Sequence, residues 1–182
     1  MPRVAVLKTS PDTVQQDYHR LISLILDRGT ADMKGPVALA VDMPWHHQFP
    51  GCSTTPWQLD GVMRYLAGTG IGPGKMEVVL PDTAGVRTDF GVILNRLQTV
   101  IDSHGAPLDQ GECDRACILR EPAVGSAVLG DIFPDGIPVR PALMDVPAVY
   151  LPVLRTHHRT VLAGAVSAVI NRAGISKALA IS

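Results

Sequence analysis

Two polar clusters hold most of the residues in this chain that are competent for chemistry. The first is His46-His47-Gln48-Phe49-Pro50-Gly51-Cys52-Ser53-Thr54-Thr55-Pro56-Trp57, after the apolar run Val37–Val41. The second is Arg155-Thr156-His157-His158-Arg159-Thr160, directly after the apolar run 146–154. Together they contain four of the six histidines and one of the three cysteines. His46, His47 and Cys52 are candidate ligands for a transition metal such as zinc, iron, nickel or copper. Their spacing matches no paired-cysteine zinc motif, and the structural alternative is a hydrogen-bonded histidine beside a buried thiol.

Thr54 and Thr55 are candidate anion-binding residues. They lead into Pro56, and Thr55-Pro56-Trp57-Gln58 reads as a capping box with proline in the first helical position. The unpaired N–H groups and dipole of a helix start attract anions, and hydroxyls add donors. Plain capping is the alternative. In the second cluster, Arg155 and Arg159 are suited to a phosphate or carboxylate. His157 is a candidate base or ligand, with His158 in reserve; the alternative is an exposed polar turn. Asp82, after the predicted strand 76–80, is the second catalytic candidate, able to orient a histidine, bind a hydroxyl or coordinate a metal. Cys113 and Cys117 lie four apart. An iron–sulfur cluster needs Cys52 to join them with a non-cysteine ligand, and is the minority reading.

These clusters need a scaffold that brings them together, and the hydrophobic pattern supplies one. Short apolar runs at 4–7, Val37–Val41, 76–80 and 146–154 alternate with segments of helical period. Ser10-Pro11 predicts a helix start, with Val14, Tyr18, Leu21, Ile22 and Ile25 on one face and a stop at Gly29. From Pro56 the pattern places Leu59, Val62, Met63 and Leu66 inward, ending in the glycine-rich 68–74. A helix over 88–103 follows, with Val92, Ile93, Leu97, Val100 and Ile101 inward. Pro147 and Pro152 suit the strand in 146–154 to a sheet edge. Residues 108–140 are irregular apart from a candidate strand at 116–120, and 161–170 reads as a tightly packed helix. The alternation predicts one α/β domain over residues 1–182, with a mostly parallel, doubly wound sheet and helices on both faces. Both clusters then emerge at the carboxyl edge of the sheet, where such folds place ligands.

Composition narrows the function classes. The 182 residues are 46% hydrophobic and 18% charged, a globular balance, with net charge −1. Neither that charge nor the 4% aromatic content suits a nucleic-acid partner. No run of about 20 apolar residues is present, so no membrane partner is expected. The N-terminus lacks the pattern of a secretory signal, and three cysteines are too few for a disulfide framework, so a cytoplasmic location is expected. The chain carries no G-x-G-x-x-G after a strand, no Walker A sequence, no G-x-S-x-G and no H-E-x-x-H.

Two stretches carry a family resemblance. One is Cys52-Ser53-Thr54-Thr55-Pro56-Trp57-Gln58-Leu59-Asp60-Gly61-Val62. The other is Leu151-Pro152-Val153-Leu154-Arg155-Thr156-His157-His158-Arg159-Thr160-Val161-Leu162-Ala163-Gly164-Ala165, continuing to Asn171. In order and spacing the chain resembles the domain-of-unknown-function 362 family, whose proline, lysine-leucine-lysine, threonine-histidine segment the second stretch is similar to. Asp82 sits where that family often has an aspartate. The chain departs from the family at Arg155 and at Ile170-Asn171, where lysines are usual. It resembles a short member, or one lacking a C-terminal portion with its ferredoxin-like cysteines. The helix start is also faintly similar to the N-terminal domain of nickel-pincer lactate racemases. The resemblance implies no single reaction. Two functions therefore stand as expectations: a metal- or redox-dependent enzyme domain acting on a small anionic substrate, or a non-catalytic accessory that self-associates or joins a larger assembly.

Overall fold

The computed structural model describes residues 4–26, 35–80, 86–109, 123–125, 130, 131, 134, 136–138, 146–157 and 161–164. Its centre is a four-stranded parallel sheet in the order β3-β2-β1-β6, formed by β1 (Val37–Val41), β2 (Met76–Val79), β3 (Leu108–Asp109) and β6 (Ala148–Leu151). The register sets Val37 beside Met76 and Ala38 beside Ala148. Every residue of β1 is buried, as befits a strand covered on both faces. Alternate residues Val37, Leu39 and Val41 join Met76, Val78 and Leu80 in one core cluster. This is the α/β class expected. The prolines also place β6 as anticipated: it lies at the end of the strand order, Ala38 N–H donates to the Pro147 carbonyl at 2.9 Å, and pairing stops before Pro152.

Four helices among the described residues feed that core, one of them α3 (Thr88–Leu94), which contributes Val92. In α2 (Pro56–Gly68) the predicted face Leu59, Val62, Met63 and Leu66 is buried throughout. α1 (Val14–Leu26) packs across α2 with Ile22 in the cluster, and α4 (Leu97–His104) adds Leu97 and Ile101. Asp60 of α2 ties the layer together: its carboxylate accepts from Arg64 Nε and pairs with His104 Nε2, both at 2.8 Å. Gly61 is required where α1 and α2 cross, because a Cβ there would stand 2.6 Å from Tyr18 Cβ. Gly61→Ala forces the helices apart. Overpacking of this kind costs about 1–3 kcal/mol, outweighing the gain of up to ~1 kcal/mol in helix propensity. A net loss of stability in urea denaturation is the expected result.

Elsewhere the structure corrects the pattern-based expectations. Residues 4–7 form no strand: Val4 and Val6 are exposed, and among the described residues no strand pairs with them. The first helix begins at Val14, after a turn in which Thr13 N–H donates to the Ser10 carbonyl. The helix expected over 88–103 is two: α3 (Thr88–Leu94) and α4, broken at Asn95-Arg96, with Arg96 left-handed at φ 57°. The break re-phases the faces and turns Ile93 out to solvent. Val161–Ala163 is a strand, β8, paired antiparallel with β7 (Arg155–His157), so the helix expected from 161 does not start there. A short apolar run fits either state, and periodicity alone does not decide. A second small pair joins β4 (Ala123–Val124) to β5 (Ile137–Pro138). Among the described residues no helix is long and apolar enough to cross a membrane.

Candidate functional site

The strand order reverses direction at β1. From there the chain steps outward to β2 and β3, then returns to place β6 on the other flank. Such a switch point opens a crevice at the carboxyl ends of the strands. Asp42, the first residue beyond β1, stands in it with 3% of its surface exposed. Its carboxylate receives the Arg155 guanidinium, from the start of β7, and lies 3.5 Å from the Val153 N–H. Arg155 also reaches the Cys52 carbonyl at 3.4 Å. The Arg155 guanidinium is therefore already engaged, by a carboxylate from a strand end 113 residues away in sequence.

Thr54 closes the same crevice from above. Its hydroxyl accepts from the Asp42 N–H at 2.7 Å and donates to the Leu151 carbonyl at 2.6 Å, while its own N–H donates to the Asp42 carbonyl at 2.7 Å. One side chain thus pins the ends of β1 and β6 to the loop before α2. That is a structural task, and it leaves the Thr54 hydroxyl hydrogen engaged.

Thr55 is differently placed. It is the N-cap of α2, with φ −89° and ψ 152°, yet its hydroxyl makes no capping bond. Its Oγ1 is buried without any hydrogen-bond partner, as are Ser53 Oγ and His46 Nδ1. Buried polar atoms in folded proteins nearly always have partners, and orphans of this kind call for an explanation. Thr55, 8% exposed, lines a cavity of about 460 Å³ between the start of α2 and the α3–α4 junction. Trp57, Pro50 and Val100 give that cavity an apolar wall, and Gln48, Asn95, Arg96 and Thr99 add polar groups. Asn95 is itself held: its side-chain amide donates to the Gly91 carbonyl at 2.9 Å and lies 3.4 Å from the His46 carbonyl. Arg96 is the cation of the wall. Its left-handed backbone is uncommon for a residue with a Cβ and costs about 1–2 kcal/mol.

The expected metal ligands are not assembled around a common point. The His46 and His47 rings lie 4.5 Å apart, and Trp45 stacks on His46 at 4.6 Å. Cys52 is a free, half-buried thiol whose backbone N–H turns back to the Phe49 carbonyl. Among the described residues no group of three or more histidine, cysteine, aspartate or glutamate side chains could hold a metal ion. Asp82, His158, Arg159, Cys113 and Cys117 lie outside the described residues, and His157 is described only through its backbone in β7. Of the anion candidates, Thr54 and Thr55 line the cavity and Arg155 does not.

Sequence reasoning missed Asp42, Asn95 and Arg96. An acidic residue directly after a fully apolar strand was a usable signal for Asp42. Asn95-Arg96 interrupts an otherwise helical pattern with neither glycine nor proline, so nothing marked the break. No protein-family model matches this chain, and no curated protein or solved structure matches it either.

Proposed function

We propose that this chain is a binding domain for a small anionic molecule, received in the cavity between the N-terminus of α2 and the α3–α4 junction. The observation that carries the reading is Thr55 Oγ1: a hydroxyl with no protein partner, at the N-cap of a 13-residue helix, on a residue of the cavity wall. A donor left over at the positive end of a helix dipole is matched by an anion from outside the chain. Arg96 supplies the complementary charge, and strained backbone at such a wall is a recurring companion of function. The volume falls within the range of small-molecule sites, about 300–1,000 Å³. The described lining residues include no histidine, cysteine, aspartate or glutamate, which favours binding over acid–base or metal-assisted chemistry. On the two motifs alone, we also place the chain beside the domain-of-unknown-function 362 family, which adds no reaction to the reading.

The test is calorimetric titration of the intact chain with inorganic phosphate at low ionic strength. Saturable binding of one phosphate per chain, weakened in Arg96→Gly, is expected. The glycine variant relieves the backbone strain, so lost binding would report the missing guanidinium rather than a damaged fold. Heats that never saturate would overturn the reading.

A further inference from the structure

The cavity wall pairs its donors with an aromatic surface, and this pairing specifies the ligand more narrowly. Trp57 is the second residue of α2, two positions beyond Thr55, and lines the same cavity with 37% of its surface exposed. Its N–H belongs to the first turn, where no intrahelical carbonyl is available, and the N-cap side chain makes no capping bond. One residue thus presents both a free amide and an indole ring.

The placement of the other aromatics is unusual in the same direction. Aromatic residues are only 4% of the chain, yet both tryptophans and two of the three phenylalanines, Phe49 and Phe90, are exposed. Large aromatic side chains are highly buried on average. Trp45 and Phe49 belong to the segment that leads into α2, Trp57 to the first turn of that helix, and Phe90 to α3. That helix is pressed against the same segment: a Cβ on Gly91 would overlap Met43 and stand 3.3 Å from His46 Cα. Arg87 lies over the Phe90 ring, 4.0 Å from its centroid. Its guanidinium donates to Asp89, a bond that holds the Asp89 carboxyl below its ordinary range. Arg87 is thereby engaged within its own turn, and Arg96 is the cation on the cavity wall.

We infer that the ligand is an aromatic oxyanion, its phosphate or carboxylate at Thr55 Oγ1, the Trp57 N–H and Arg96, and its ring stacked on the Trp57 indole. The inference rests on the anion-binding reading above. Its test compares four probes on the intact chain by equilibrium dialysis: inorganic phosphate, phenyl phosphate, acetate and benzoate. Stacking on an aromatic side chain is expected to make the ring-bearing member of a pair bind about tenfold or more tighter. Which pair shows the larger advantage identifies phosphate or carboxylate as the preferred anion. Trp57→Leu should abolish the advantage. In a Trp45→Phe chain, binding of phenyl phosphate should change the emission of Trp57. Equal affinity within both pairs would overturn the inference and leave the anion reading standing. A ring advantage that survives Trp57→Leu would overturn it as well. Binding of none of the four would remove both readings together.

Discussion

Replacing Arg155 by methionine is expected to lower the unfolding free energy by about 3–5 kcal/mol, the scale for breaking a buried ion pair from one side. Asp42 keeps 3% of its side chain exposed and Arg155 keeps 10%, so water cannot screen the charge that remains. The methionine preserves most of the aliphatic stem, which confines the loss to the guanidinium. Two further contacts go with it, because Arg155 also holds the Cys52 carbonyl, and the Asp42 carboxylate that it anchors lies near the Val153 N–H. The double variant Asp42→Asn with Arg155→Met removes both charges and should recover much of the loss, since a neutral pair of similar size is often no worse than the ions. Equilibrium urea denaturation of the parent, both single variants and the double variant measures the coupling. A single-variant loss under about 1 kcal/mol would class the pair with screened surface ion pairs.

Thr55→Val and Thr54→Val are expected to move stability in opposite directions. A threonine N-cap normally contributes about 0.5–2 kcal/mol, but here the hydroxyl makes no capping bond. An unpartnered buried hydroxyl costs about 1–3 kcal/mol in desolvation, so an isosteric methyl in its place should raise stability by about 1 kcal/mol. The same change removes a donor to the anion. A hydrogen bond to a charged group is worth about 1.5–3 kcal/mol, so phosphate affinity should fall about tenfold or more. Thr54→Val leaves the Asp42 N–H and the Leu151 carbonyl without their shared partner and should destabilise by a few kcal/mol. Denaturation and phosphate titration of the two variants together check both signs. If Thr55→Val loses stability and keeps affinity, its hydroxyl is structural and the cavity reading falls.

Much of the scaffold could be read from the pattern because its signals are local. The buried strand Val37–Val41, the threonine–proline start of α2 and the four inward residues of that helix each declare themselves within a dozen positions. The prolines flanking β6 limited its ladder and so located it at the edge. What stayed hidden depends on partners distant in the chain. Thr54 and Thr55 are chemically alike and adjacent, and only the carbonyl of Leu151, 97 residues on, distinguishes the pinned hydroxyl from the free one. Arg155 reads as a ligand-binding cation, and nothing near it in the sequence announces its pairing with Asp42. His46 and His47 read as ligands from their types alone, and nothing in the sequence shows that the His46 ring stacks on Trp45 and lies tilted 4.5 Å from His47. The left-handed turn at Arg96 had no composition signal at all, because arginine is not a residue that favours it.

The clasp made by Thr54 also carries a consequence in time. The residues that line the cavity lie between positions 48 and 100, and their helices can form from nearby chain. The loop that holds Thr55 at the helix start is tied nearby to Asp42, and its clasp is completed only when β6 arrives, through the Leu151 carbonyl 97 residues on. Closing loops of that length is entropically slow, and parallel pairing of this kind belongs to the late part of folding. Recovery of phosphate binding during refolding should therefore lag behind the recovery of helical circular dichroism. On the ribosome, a nascent chain that has not yet released Leu151 would already carry its helices and its tryptophans, and would not yet bind.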